Sequence, residues 1–194
     1  MTWLQLILNS ALLGVGLAMD AFSVSLANGL SEPFGTKKRA LSIAGIFALF
    51  QTAMPLLGWA VVHTMAELFV KFQKAIPYIA LVLLLYIGGK MLWEAFRKKD
   101  EEAQTIAHIA FGTLLLQGVA TSIDALSVGF TIAEYDFPRA LVAALIIGAL
   151  TLGICFAGVL LGKKFGTKFS GKAAALGGLV LIAVGIEIFL TGIF

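Results

Sequence analysis

The sequence predicts an all-α polytopic membrane protein, with six transmembrane helices arranged as two inverted three-helix repeats and both termini outside. Three observations carry this. Of 194 residues, 60% are hydrophobic and 13% charged, and the mean hydropathy is +0.99. Apolar runs of about 20 residues, the length that a hydrocarbon core of roughly 30 Å requires, follow one another along the chain. An Asp-Ala segment in the first run recurs in the fourth. In lipid only helices and closed barrels satisfy their backbone, and runs this long favour helices.

The first span, Leu4 to Leu30, carries Asp20. No basic stretch precedes it, so it is expected to stay in the mature protein rather than leave as a signal peptide. The second, Ala40 to Val62, follows Lys37-Lys38-Arg39 and holds Gln51, Thr52, Met54 and Pro55 near its middle. The third, Ile76 to Phe96, ends at Arg97-Lys98-Lys99. The fourth, Ile106 to Ala133, carries Asp124, the fifth, Ala140 to Leu161, contains the lone Cys155, and the sixth, Ala173 to Phe194, contains Glu187. Together they form a single transmembrane domain over 1–194, with repeat 1 at 1–98 and repeat 2 at 104–194.

Basic residues set the orientation. Ten lie in the first, third and fifth connections (Lys37, Lys38, Arg39, Arg97, Lys98, Lys99, Lys163, Lys164, Lys168 and Lys172), against Lys71, Lys74 and Arg139 in the second and fourth. The positive-inside rule then places the odd connections in the cytoplasm. The formal charge of +3 reflects this bias and does not imply nucleic acid. With one cysteine, an intramolecular disulfide and a cysteine metal cluster are excluded. The connections are short, and no glycine-rich segment has the Gly-x4-Gly-Lys-Ser/Thr pattern that cradles phosphates, so an ATP-driven pump within this chain is not expected.

Asp20-Ala21-Phe22-Ser23-Val24 matches Asp124-Ala125-Leu126-Ser127-Val128, with Gly14 and Gly118 six residues upstream of each aspartate. Arg39-Ala40-Leu41 matches Arg139-Ala140-Leu141, and Gly58 matches Gly158. Three spans per copy is an odd number, so the second copy enters the membrane from the opposite side. Transporters of this architecture form their substrate sites near the midplane, between the halves.

The two aspartates are the strongest site candidates, because an ionised aspartate deep in a span opposes insertion by roughly 2.5 to 3.5 kcal/mol unless it faces a polar interior. The bland reading is that each is protonated and bonds a neighbouring helix. Helical spacing puts Gly16, Ser23, Val24 and Ala27 on the Asp20 face, and Ala120, Thr121, Ser127 and Val128 on the Asp124 face. Ser23 and Ser127 offer oxygen ligands, unless they only back-bond to their own helices. Pro55 lacks an amide hydrogen and frees the Gln51 carbonyl, so a break in the second span would release a backbone oxygen and a side-chain amide together, the alternative being a packing kink. Carboxylate, amide and carbonyl oxygens suit a hard divalent cation, and Met19 or Met54 could add a thioether favouring a transition metal, although methionine in such helices is commonly core. Glu187 is a third intramembrane carboxylate and a candidate for proton coupling.

Ala18-Met19-Asp20-Ala21-Phe22, Phe50-Gln51-Thr52-Ala53-Met54-Pro55-Leu56-Leu57-Gly58-Trp59, Ala120-Thr121-Ser122-Ile123-Asp124-Ala125-Leu126-Ser127-Val128-Gly129 and Gly177-Gly178-Leu179-Val180-Leu181-Ile182 together resemble the MntP family of bacterial manganese efflux pumps, within the LysE superfamily. The resemblance covers essentially the whole chain. It implies a multi-pass protein of the bacterial inner membrane that exports Mn²⁺ as its substrate, with Asp20 and Asp124 essential, no resident cofactor and no enzyme activity. Where this chain has Gln51 and Glu187, some members carry glutamate and a polar amide, which leaves the full ligand set open.

Export of a divalent cation from a negative interior is opposed by about 4.6 kcal/mol per 100 mV, so coupling is required, and inward proton movement by alternating access is the expected form. The rivals are a LysE-like exporter of a small basic solute or of another divalent cation, an intramembrane aspartyl protease, and a scaffold. The protease is the weaker fit, since no Gly-x-Gly-Asp segment surrounds either aspartate. Expected partners are membrane lipids and no nucleic acid; Gly88-Gly89 and Gly177-Gly178 could pack within a monomer or between the subunits of a homodimer. Straight, upright helices with their centres level would offset Asp20 and Asp124 by roughly 10 Å, too far apart to share one ion.

Overall fold

The computed structural model describes residues 2–73, 76–97, 109–168 and 173–193. The ordered elements among them are six helices: α1 (Trp3–Ser31), α2 (Lys37–Gln73), α3 (Ile76–Arg97), α4 (Phe111–Thr131), α5 (Phe137–Lys168) and α6 (Ala173–Ile193). The described residues are thus all-α, as the apolar runs predict. Among the described residues, Trp3–Ser31, Lys37–His63, Phe111–Gly129 and Phe137–Gly166 are long and apolar enough to cross a membrane, and Leu81–Lys90 forms a shorter apolar stretch.

Two helix ends extend by more than a turn beyond the predicted spans. α2 continues to Gln73 and α5 to Lys168, because a helix satisfies its own backbone whether or not its surroundings are lipid, and charge marks only where the apolar stretch stops. α4 begins at Phe111, and the expected start at Ile106 lies outside the described residues. The expected break at Pro55 is absent, since α2 runs through the proline as one helix. At the other end of the chain, Thr2 and Gln5 cap α1 reciprocally, at 2.9 and 3.3 Å, and satisfy amide donors that the first turn leaves open.

α1 packs most extensively on α5; α3 packs on α6, and α2 on both α5 and α4. Small residues make this possible. The main core cluster includes Ala21, Ala27, Ala40, Ala44 and Ala120 around Phe47, Leu84, Leu114 and Leu181. At Gly58 the backbones of α2 and α4 meet: a Cβ there would lie 3.1 Å from the Gly129 Cα and closer still to the Leu126 carbonyl oxygen. A Cβ at Gly158 in α5 would lie 3.0 Å from the Phe22 carbonyl oxygen of α1. Close approach through small residues is how helices pack where lipid removes the hydrophobic drive between them. Larger side chains face outward, including Leu8, Leu12, Leu49, Leu57, Val82 and Leu145, an apolar exterior that fits contact with lipid chains.

Candidate functional site

α1 and α4 approach each other with opposite polarity, and one hydrogen bond sets their register. Asn28 Nδ2 donates to Gln117 Oε1 at 2.8 Å, both side chains being fully buried. From Asn28 back to Asp20 is eight residues along α1, and from Gln117 on to Asp124 is seven along α4. At a rise of 1.5 Å per residue these distances differ by only about 1.5 Å, so the two aspartates sit at nearly the same level. Counted from this contact, the offset is smaller than the roughly 10 Å expected for level-centred helices, because side-chain contacts as well as span midpoints determine how the helices slide. Consistent with this, Asp124 lies within electrostatic reach of Asp20. Both are half-buried, and Asp124 Oδ1 accepts the Ala125 amide at 2.9 Å.

Gln51 joins the three helices at this level. Its Nε2 donates to the Leu17 carbonyl of α1 at 3.2 Å and to the Thr121 carbonyl of α4 at 3.1 Å. Leu17 and Thr121 each precede their aspartate by three residues, so one amide group reaches the matching carbonyl in both Asp-Ala segments. Only an NH₂ group can donate to two carbonyls, which assigns the orientation of the amide. Gln51 Oε1 is left buried with no hydrogen-bond partner. An unpaired buried acceptor costs on the order of 1–3 kcal/mol, so its presence asks for an explanation.

The other candidates divide. Ser23 Oγ donates to the Met19 carbonyl at 3.1 Å, the back-bonding alternative, which still leaves its oxygen able to accept. Thr121 and Thr151 also bond back, to Gln117 O and Ile147 O. Ser127 and Met54 are half-buried. Met19 is 52% exposed and is not brought to the buried polar cluster, since one residue's step turns its side chain about 100° from Asp20. The Glu187 side chain lies outside the described residues. Among the described residues, no three His, Cys, Asp or Glu side chains come together, so any metal here would complete its shell with amide, hydroxyl or carbonyl oxygens.

Three features escaped the sequence reading. Asn28 and Gln117 continue the aspartate faces, eight residues after Asp20 and seven before Asp124, so helical spacing followed two turns further would have found them. Glu32, only 3% exposed, accepts from Arg39 Nε and Nη2 at 3.0 Å each and from the Ile109 amide; Arg39 Nη2 also donates to the Ile109 carbonyl at 2.6 Å. This cluster fastens the ends of α1 and α2 to the entry of α4. Its counterpart, Arg139 with Asp136 at 3.5 Å, is exposed. On the opposite side of the aspartates from Asn28, a cavity of ≈ 520 Å³ opens beside Asn9, Leu13, Gly16, Leu17, Thr131 and Tyr135.

Comparison with known proteins gives one consistent result. Residues 35–189 match the family model described as "Putative manganese efflux pump". A protein of Methanocorpusculum labreanum named "Putative manganese efflux pump MntP" is 41% identical, covering 94% of this chain and 95% of the relative. Proteins of the same name from Clostridium perfringens, 38% identical over 96% of both chains, and from Ruminiclostridium cellulolyticum, 37% identical over 94% of this chain and 95% of the relative, agree. No solved structure matches. With a family model spanning most of its length and relatives aligned nearly end to end, the chain belongs to the MntP family of membrane transporters.

Proposed function

We propose that the protein is a secondary transporter that exports Mn²⁺ from the cytoplasm across the inner membrane, by proton-coupled alternating access between two inverted three-helix repeats. The observation that carries this is the common level of Asp20 and Asp124, bridged by Gln51 to the matching carbonyls of both repeats. Carboxylates on two neighbouring helices, with Gln51 bonded to the backbone of both and its buried amide oxygen left without a partner, suit a hard divalent cation. Ser23, Ser127 and Met54 stand on the same helices as further ligands, and Glu187 as a proton carrier.

Packing supports the repeat. Gly58 meets the Leu126 carbonyl and Gly158 the Phe22 carbonyl, while Gly14 abuts Leu150 and Gly118 abuts Phe50. Each pair of contacts interconverts when α1 exchanges with α4 and α2 with α5. Six spans with both termini outside follow from this duplication and from the basic bias of the odd connections. The Glu32–Arg39–Ile109 cluster and the Asn28–Gln117 pair then lie on the cytoplasmic side, and the cavity at Gly16 on the outer side, an arrangement that fits an outward-open state.

Ionised, the aspartates hold the cation; protonated from outside, they release it, and the protons leave inward. The test is Mn²⁺ flux in proteoliposomes under an imposed pH gradient. Protons should move opposite to Mn²⁺, and Asp20→Asn or Asp124→Asn should abolish the flux. Flux indifferent to the gradient removes proton coupling; wild-type flux in both variants removes the aspartates; flux of a basic solute in place of Mn²⁺ removes the metal.

A further inference from the structure

Asn28 and Gln117 form one hydrogen bond, and each keeps a second buried polar atom, Asn28 Oδ1 and Gln117 Nε2, without any partner. Both residues are fully buried. Such atoms are rare in folded proteins, where nearly all buried polar groups are paired. The repeat provides an internal comparison. The residue matching Asn28 is Ile132 and the residue matching Gln117 is Leu13, each 104 positions away, and these two belong to a single apolar cluster. The fold therefore accepts an apolar pair at this junction, and only the half-way toward the cytoplasm carries amides.

We propose that Asn28 and Gln117 form a subsite for a hard divalent cation on the cytoplasmic side of Asp20 and Asp124, an inference that rests on the transport reading above. Breaking their mutual hydrogen bond frees Gln117 Oε1 to join Asn28 Oδ1, which supplies two neutral amide oxygens of the kind that ligate hard cations. Neutral ligands hold the ion loosely enough to pass it on, and the carboxylates about 10–12 Å further along the helices are the stronger acceptors. The same hydrogen bond, when closed, seals the α1–α4 junction behind the ion. The matching apolar pair on the outer side offers no ligand, so the ion leaves without a second stop.

Everted membrane vesicles present the cytoplasmic face to the medium, so initial Mn²⁺ uptake against Mn²⁺ concentration reads this subsite. The double variant Asn28→Ile with Gln117→Leu copies the other repeat. Its KM should rise about tenfold, equivalent to losing about 1.4 kcal/mol of binding, while its thermal stability should not fall, because two unpaired polar atoms have gone. Asn28→Asp should lower KM by adding charge to the subsite, an outcome that a purely structural amide would not produce. A KM in the double variant within about twofold of wild type overturns the proposal, as does an Asn28→Asp variant whose KM fails to fall; if the double variant does not fold, the second result decides. Asp20→Asn separates the two readings: if it abolishes uptake while the amide variants behave as wild type, only the subsite falls, and if the wild type itself takes up no Mn²⁺, both do.

Discussion

A single methyl group added at Gly58 is expected to destabilise the protein markedly, although the same change elsewhere in α2 should not. An alanine Cβ at Gly58 would sit 3.1 Å from the Gly129 Cα and deeper still into the Leu126 carbonyl oxygen. Both obstacles are backbone, which no rotamer change can move aside. α2 and α4 must separate, and overpacking of this kind costs about 3 kcal/mol at the upper end of its usual range. Alanine recovers about 1 kcal/mol through helix propensity. The net loss of about 2 kcal/mol corresponds to a drop of roughly 4–8 °C in Tm for a chain of this size. Gly45→Ala, in the same helix, is the control, since a Cβ there would meet no side chain and no neighbouring helix within 4 Å. Thermal unfolding in one detergent, followed through a fluorescence or aggregation readout, compares the two. The separation would also lengthen the Gln51 bond to Thr121 O, so Mn²⁺ flux should fall with stability. Equal melting of Gly58→Ala and Gly45→Ala would refute the reasoning, for it would mean that the α2–α4 crossing yields freely.

Two further expectations concern buried polar groups. Glu32→Ala leaves Arg39 and the Ile109 amide without their carboxylate and should cost about 3–5 kcal/mol, the usual result of removing one partner from a buried pair; Asp136→Ala, at the exposed matching pair, should cost at most about 1 kcal/mol, and thermal unfolding of the two variants side by side checks the difference. Gln51→Leu keeps the volume but loses both bridging donations, so it should reduce Mn²⁺ flux while leaving the protein folded; unchanged flux with unchanged KM would show that the buried amide oxygen contributes nothing to the substrate path.

The sequence by itself determined what depends on local pattern. Apolar run length marks the helices, the cost of charge in lipid singles out Asp20 and Asp124 as candidates, and the recurrence of the Asp-Ala segment can be read directly, because each of these is written within short stretches of chain. Charged residues beyond Val62 mark the end of the apolar stretch, but α2 continues through them as helix. What the tertiary structure alone decided is register. Whether two intramembrane aspartates on separate helices face each other depends on how far the helices slide. That is settled by glycines such as Gly58 and Gly158 that admit neighbouring backbone, and by a hydrogen bond between residues 89 positions apart. No periodicity along one helix contains that information. The same holds for Gln51, whose amide connects the two Asp-Ala segments only because packing brings Leu17 and Thr121 to either side of it.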